Sequence, residues 1–199
     1  MKTLNVTLVG VGGQGIILTA DILAKTAAIA GLDVKKSEIH GMAQRGGSVS
    51  SQVRFGDSVA SPIVQEGATD ILVSFDKLEA LRNAHLLSAG GTAVVNDMYL
   101  VPVTVSSGQQ ADVAALDDRV KAAIGNLKLI DAATIASEGA GNARTMNMVL
   151  AGALSTLCPF GESQWMQAMA ELLSGPKAKL LAANEKAFRL GREAMSRAG

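Results

Sequence analysis

Leu4-Asn5-Val6-Thr7-Leu8-Val9-Gly10-Val11-Gly12-Gly13-Gln14-Gly15-Ile16 decides the fold. Alternation and β-branching from Leu4 to Val9 predict a strand, and Gly10-x-Gly12-x-x-Gly15 predicts a tight turn. Ile16 to Ala30 then carries Leu18, Ile22, Leu23 and Ile29 at helical spacing, with Thr26 interrupting the apolar face. Glycines belong in such a turn because the backbone bends sharply, approaches a neighbour or ligand closely, and lets the helix pack on the sheet. The helix start it leaves open attracts anions through its free N–H groups. Gly31 stands where a left-handed residue ends a helix, and Asp33 to Ile39 resumes strand character through Val34 and Ile39, so the first forty residues read as a βαβ unit.

Working outward, Gly41 to Gly47 leads to a strand, Ser48 to Phe55, with Val49, Val53 and Phe55 on one side. The short apolar run Ile71 to Phe75 suits a buried parallel strand. Asp76 caps a helix expected over Lys77 to Ser88 and ending at Gly90-Gly91. Strands are expected at Thr92 to Asn96, at Leu100 to Val105 with Pro102 suited to an edge, and at Lys128 to Ile130, with a short helix at Val120 to Ile124. The C-terminal third is helical: Ala143 to Leu157 reads as a buried helix, Ser163 to Leu173 places Trp165, Met169, Leu172 and Leu173 at helical spacing, and Pro176 opens a long helix. The class is α/β with a mostly parallel sheet. No linker or repeat divides residues 1–199, so a single domain is expected, with the helices from about 143 packing on it.

Composition excludes several functions. Eighteen Lys+Arg against 18 Asp+Glu leave a net charge of +0, and no basic block is present to neutralise phosphates, so nucleic acid is not the expected partner. No apolar run reaches about 18 residues, and the stretch after Val9 is a glycine turn and not a cleavage site, which predicts a cytoplasmic chain without a membrane span. The one cysteine, Cys158, cannot supply the roughly four thiolates of an iron–sulfur cluster and reads as a small hydrophobe. No metal-ligand spacing is present, so no metal site is expected.

A second loop, Glu38-Ile39-His40-Gly41-Met42-Ala43-Gln44-Arg45-Gly46-Gly47-Ser48, is too rich in glycine for a helix and too polar for a core. Polar loops at strand ends commonly carry function. His40 can move a proton near neutral pH, and Arg45 can grip a carboxylate or phosphate with two parallel hydrogen bonds; these two are the candidate catalytic residues. Gly10, Gly12, Gly13, Gln14, Gly15, Gln44 and Ser48 are the candidate cofactor-binding or subunit-facing residues. A stand-alone dinucleotide-dependent dehydrogenase stays open as an alternative. It would want an acidic residue near the end of the second strand to hold the ribose, where this chain has Lys35, Lys36 and Ser37 and only later Glu38. A third reading is that the glycine turns only shape an interface. His85 is expected half-exposed on its helix, and Trp165, Met146, Met148, Met166 and Met169 to serve packing.

Val9 to Ile16, followed by Ser37 to Val49, resembles the gamma-type domain of 2-oxoacid:ferredoxin oxidoreductases. The His40-Gly41-Met42-Ala43-Gln44-Arg45-Gly46-Gly47 run resembles the beta subunits of that family's indolepyruvate branch. Ser74-Phe75-Asp76-Lys77-Leu78-Glu79-Ala80-Leu81 and Gly90-Gly91-Thr92 agree with it. The resemblance implies a three-layer Rossmann-like fold and a share in the oxidative decarboxylation of an aryl 2-oxoacid, with coenzyme A as acyl acceptor and ferredoxin as electron acceptor. It places thiamine diphosphate and iron–sulfur clusters in a partner alpha subunit, with none in this chain. It would put Gly10 to Gly15 at the coenzyme A side, and His40, Gln44, Arg45 and Ser48 toward the partner or substrate. A chain with only 18% charged residues then predicts an extensive apolar surface against that partner.

Overall fold

A computed structural model describes residues 1–40 and 47–197, apart from the side chains of His40, Pro176 and Lys177. Six strands form one sheet in the order β2-β3-β1-β4-β5-β6. They are β1 (Leu4–Val11), β2 (Asp33–His40), β3 (Ser48–Gly56), β4 (Thr69–Ser74), β5 (Leu87–Asn96) and β6 (Leu127–Ile130). Eight helices accompany them: α1 (Ile16–Ile29), α2 (Lys77–Asn83), α3 (Val103–Ser106), α4 (Leu116–Ala123), α5 (Ala132–Thr134), α6 (Met146–Ser155), α7 (Glu162–Leu172) and α8 (Leu181–Arg197).

The sheet is parallel from β1 through β4 and β5 to β6, while β3 runs antiparallel between β1 and β2. The expected βαβ unit is therefore present with a strand inserted: β1 and β2 point the same way, but β3 pairs with both. Strand alternation divides the core in two. Val6 and Leu8 of β1, Ile71 and Val73 of β4 and Val94 of β5 face α1, α6, α7 and α8, whereas Val9, Leu72, Ala93 and Val95 face α2 and α4. This makes three layers. The first core centres on an aromatic series, Phe55–Phe160–Trp165–Phe188, with successive ring centroids 5.1, 6.2 and 5.6 Å apart.

Helices α6 and α8 cross at two glycines. A Cβ on Gly152 would lie 1.9 Å from Phe188 O, and one on Gly191 would lie 1.9 Å from Val149 O, so the two backbones touch where any side chain would hold them apart.

Two expected elements are corrected. The helix from Lys77 stops at Asn83, and after a single 3-10 turn β5 already begins at Leu87, so Gly90 and Gly91 lie inside a strand. Gly91 is needed there because a Cβ would meet Thr69 O at 2.8 Å, beside the shift in register between β4 and β5. Leu100 to Val105 is not a strand. Both edges of β5 are occupied, by β4 and β6, and Pro102 instead starts the one-turn helix α3.

Candidate functional site

The chain leaves β1 on one side through α1 and enters the other layer through α2 after β4. The ends of these two parallel strands therefore border a crevice of the kind where open α/β sheets bind ligands. The first glycine turn and Ser74-Phe75-Asp76 lie here. Phe75 N donates to Val9 O at 2.9 Å, and Phe75 O accepts from Gln14 Nε2 at 3.1 Å and from Asn96 Nδ2 at 3.2 Å.

Each residue of the turn has a distinct part. Gln14 commits both ends of its amide within the chain, since its Oε1 accepts from Val11 N at 2.7 Å while its Nε2 holds Phe75 O; it braces the turn. Gly10 leaves room for that brace, because a Cβ would stand 2.7 Å from Gln14 Oε1 and 2.8 Å from Phe75 Cβ. Gly15 has φ +87° and faces Asn147, whose Nδ2 lies 2.7 Å from where a Cβ would be; Gly13 has φ +104° and nothing within 4 Å of that point. Gly13 is the open face of the turn. No side chain caps α1 and no acid stands in its first turn, so the first N–H groups of that helix keep their anion preference.

The first glycine turn meets the described end of the second loop. Gly12 N donates to Gly47 O at 2.8 Å, and Val11 pairs with Ser48 across β1 and β3. Ser48 Oγ donates to Glu79 Oε2 at 2.6 Å, and Arg82 Nη1 donates to Glu79 Oε1 at 2.6 Å. Glu79 and Asp76 are each 1% exposed. Asp76 does more than cap α2: it accepts from Leu78 N at 2.8 Å, Glu79 N at 3.2 Å and Leu100 N at 2.7 Å. Burial nonetheless pushes its carboxyl above the usual range, ahead of these hydrogen bonds that pull it down. A cavity of about 240 Å³ opens beside these acids, flanked by Leu100, Val101 and Val103, which are 40, 52 and 73% exposed.

His40 ends β2 with its backbone opposite Val49. Its side chain, together with Gln44 and Arg45, lies outside the described residues. Glu38, the acid considered for a ribose, accepts from Lys36 at 2.5 Å, and β3 separates its strand from the first glycine turn; both facts work against a dinucleotide geometry. Cys158 packs against the larger core, and burial pushes its thiol up to about 12. His85 is exposed on the 3-10 turn after α2, and Trp165 and Met169 lie in the core. Among the described residues no group of His, Cys, Asp or Glu is arranged to hold a metal ion.

The sequence reading missed the wall opposite the turn. A cleft of about 470 Å³ runs between Gly13-Gln14-Gly15 and a segment carrying Asn142, Arg144 and Asn147 at the start of α6. One signal was available: Asn147 is the only amide in a helix of ten residues whose other members, apart from the terminal Ser155, are apolar.

The family model described as pyruvate ferredoxin/flavodoxin oxidoreductase matches residues 5–194. The chain is 40% identical over 195 residues to the indolepyruvate oxidoreductase subunit IorB of Thermococcus kodakarensis, covering 96% of this chain and 95% of that protein. It is 41% identical over 197 residues to IorB of Pyrococcus horikoshii, covering 96% and 95%. Among solved structures, the gamma subunit of a keto/oxoacid ferredoxin oxidoreductase from Geobacter sulfurreducens superposes with a TM-score of 0.71 at 22% identity, covering 98% of this chain and 99% of that one. The 2-oxoglutarate:ferredoxin oxidoreductase of Magnetococcus marinus, solved with 2-oxoglutarate, coenzyme A and succinyl-CoA bound, gives 0.75 at 22% identity, covering 99% of this chain and 32% of that one. At that identity both likenesses establish the fold.

Proposed function

The chain belongs to the pyruvate ferredoxin/flavodoxin oxidoreductase family, and from that premise we propose that it is the small subunit of an indolepyruvate oxidoreductase. The reaction is oxidative decarboxylation of an aryl 2-oxoacid to its acyl-CoA, with the electrons passed to ferredoxin. The observation that carries this reading is the near full-length identity to two IorB subunits, at 40 and 41%. The indolepyruvate-type loop begins at the end of β2 and returns at Ser48 beside the first glycine turn.

Thiamine diphosphate and iron–sulfur clusters belong to the partner alpha subunit in this proposal. The donor set here does not fit a cluster, because the chain has one cysteine, partly buried and with its thiol pushed up to about 12, and clusters are bound by several thiolates. This chain's own contribution is positional. Gln14 braces the first glycine turn, Gly12 ties that turn to Gly47, and Glu79 ties α2 to Ser48, so the described end of the second loop is fixed beside the turn. Leu100, Val101 and Val103 beside that end, and Ile39 at 62% exposure on β2, supply apolar contact for the partner. No helix among the described residues is long and apolar enough to cross a membrane, and the proposed location is the cytoplasm.

The test is reconstitution. The purified chain should not turn over indolepyruvate with coenzyme A and ferredoxin, and activity should appear on adding an alpha subunit loaded with its cofactors. Robust turnover by the chain alone, or none by the assembled complex, would overturn the proposal.

A further inference from the structure

Glu79 is buried beyond anything its helix requires. It is 1% exposed, and Asp76, three residues before it, is also 1% exposed. Two acids so close under cover repel each other, and each gives up hydration. Helix α2 does not call for this, because Asp76 already caps it through Leu78 N and Glu79 N. Nor does the pair with Arg82 need burial: such pairs form on open helix surfaces, where they contribute little, and the Arg82 side chain is itself 49% exposed. What the buried position gives Glu79 is reach. Its Oε2 accepts from Ser48 Oγ at 2.6 Å, joining α2 to the first residue of β3, while Arg82 Nη1 holds its Oε1 at 2.6 Å. A carboxylate held at both oxygens is fixed in orientation. Ser48 is where the second loop returns, and Gly47 before it accepts from Gly12 N at 2.8 Å. One side chain thus connects α2, the end of the second loop and the first glycine turn. Ser48, Glu79 and Arg82 all border the cavity of about 240 Å³, so this chain of bonds lies at the crevice and not in the core.

We propose that Glu79 is a positioning residue for the reaction: through the Ser48 hydroxyl it fixes the point at which the second loop returns beside the glycine turn, and turnover depends on that point being held. This rests on the oxidoreductase reading above. Placement matters to an enzyme out of proportion to distance, since a displacement of about 1 Å far from the chemistry can cost roughly a hundredfold in rate. Glu79 moves no proton and touches no substrate in this role; it acts through Ser48. The role predicts a pattern. Removing either partner lowers kcat, removing both lowers it no further, and a hydroxyl returned at position 48 returns the rate. A residue that only stabilised the fold would lower the melting temperature and leave kcat per assembled complex unchanged.

The experiment uses the complex reconstituted with its alpha subunit. Glu79→Gln, nearly isosteric, and Ser48→Ala should each lower kcat by about tenfold, the size of one hydrogen bond to a charged group, with KM for indolepyruvate within about threefold of the parent. The double variant should be no slower than the slower single one, as expected of residues that act as a unit. Ser48→Thr keeps the hydroxyl and suits a strand, and should bring kcat back to within about twofold of the parent. Glu162→Gln, an acid paired with Arg189 in the other helical layer, should change nothing. In the free chain labelled with nitrogen-15, the Gly12 amide should exchange with deuterium about tenfold faster in Glu79→Gln and Ser48→Ala, and at the parent rate in Ser48→Thr. Ser48 is exposed, so Ser48→Ala carries the test if Glu79→Gln fails to fold. Single variants with kcat within about twofold of the parent, effects that multiply in the double variant, or a Ser48→Thr complex as slow as Ser48→Ala would overturn the proposal. An active parent complex matched by its variants refutes the positioning role and leaves the oxidoreductase reading standing; an inactive parent complex refutes that reading, and the Gly12 exchange rates then decide whether Glu79 holds the loop end.

Discussion

Replacing Gly152 by Ala tests the contact that holds the upper wall of the cleft. The added Cβ would start 1.9 Å from Phe188 O, and real Cβ atoms essentially never come within 3.0 Å of such a neighbour. The obstacle is backbone, so no side chain can swing away, and α8 must retreat from α6 by roughly 1 Å. Overpacking of this kind costs about 1 to 3 kcal/mol; a rigid carbonyl partner places it near 3. Alanine recovers about 1 kcal/mol over glycine in a helix, which leaves a net loss of about 2 kcal/mol. For a chain of this length that is a fall of roughly 4 to 8 °C in melting temperature. The assay is thermal melting followed by circular dichroism, with Gly125→Ala as control, since a Cβ there meets nothing within 4 Å. Because α6 carries Asn147 and α8 carries Asn184, both lining the cleft, the same variant should also change the environment of the Gly13 and Gly15 amides. A melting temperature equal to or above that of the parent would mean that helix propensity outweighs the clash, and the reasoning would be refuted.

Gly15→Ala combines a left-handed backbone, φ +87°, with a collision against Asn147; the backbone alone costs about 1 to 2 kcal/mol, so urea unfolding should show at least that loss, and an unchanged midpoint would count against it. Asp76→Ala removes the acceptor for three backbone N–H groups on α2 and at Leu100 and should cost about 2 kcal/mol, read from the same unfolding curves; a loss near zero would deny the tie. The Cys158 thiol is raised from 9.0 to about 12 in the folded chain. A group that holds its proton more tightly when folded contributes stability in full below its unfolded pKa and loses it as pH rises through the folded one. Stability should therefore decline from about pH 9 upward, less steeply in Cys158→Ala, and an identical pH slope in both proteins would refute the assignment. In the reconstituted complex, His40→Ala and Arg45→Ala should lower turnover with assembly intact; unchanged kinetic constants would favour a purely structural second loop.

Most of the fold was legible because it rests on local chemistry. The strand β1, its glycine turn and α1 follow from alternation, from glycine's freedom at positive φ and from helical spacing, all within thirty residues. The C-terminal helices follow from apolar periodicity in the same way. What failed was decided by neighbours distant in sequence. Leu87 to Gly91 has no strand propensity of its own, and becomes the start of β5 because β4 offers a parallel edge, pairing Thr69 with Leu87. Leu100 to Val105 has the β-branched composition of a strand but no edge left to join, since β6 occupies the outer side of β5; Asp76 takes the Leu100 N–H instead. The insertion of β3 between β1 and β2 depends on an eight-pair antiparallel register that no local pattern announces.

The site divides along the same line. Its glycine half could be read because the conformations it requires belong to glycine alone, but its other half depends on α6 being laid across α1, with the Thr19 hydroxyl donating to Asn147 O at 3.4 Å. That placement in turn depends on Gly152 and Gly191 letting α8 press α6 against the sheet, so two glycines with no chemistry of their own set the distance between Asn147 and the turn. Sequence reasoning assigns residues such as these to packing and residues such as Gly15 to ligands. Here both serve one cleft: a glycine at 15 leaves room for the amide, and glycines at 152 and 191 bring the amide to it. The first glycine motif is therefore half of a site whose other half is a helix crossing, and a variant in either half should be visible in the other.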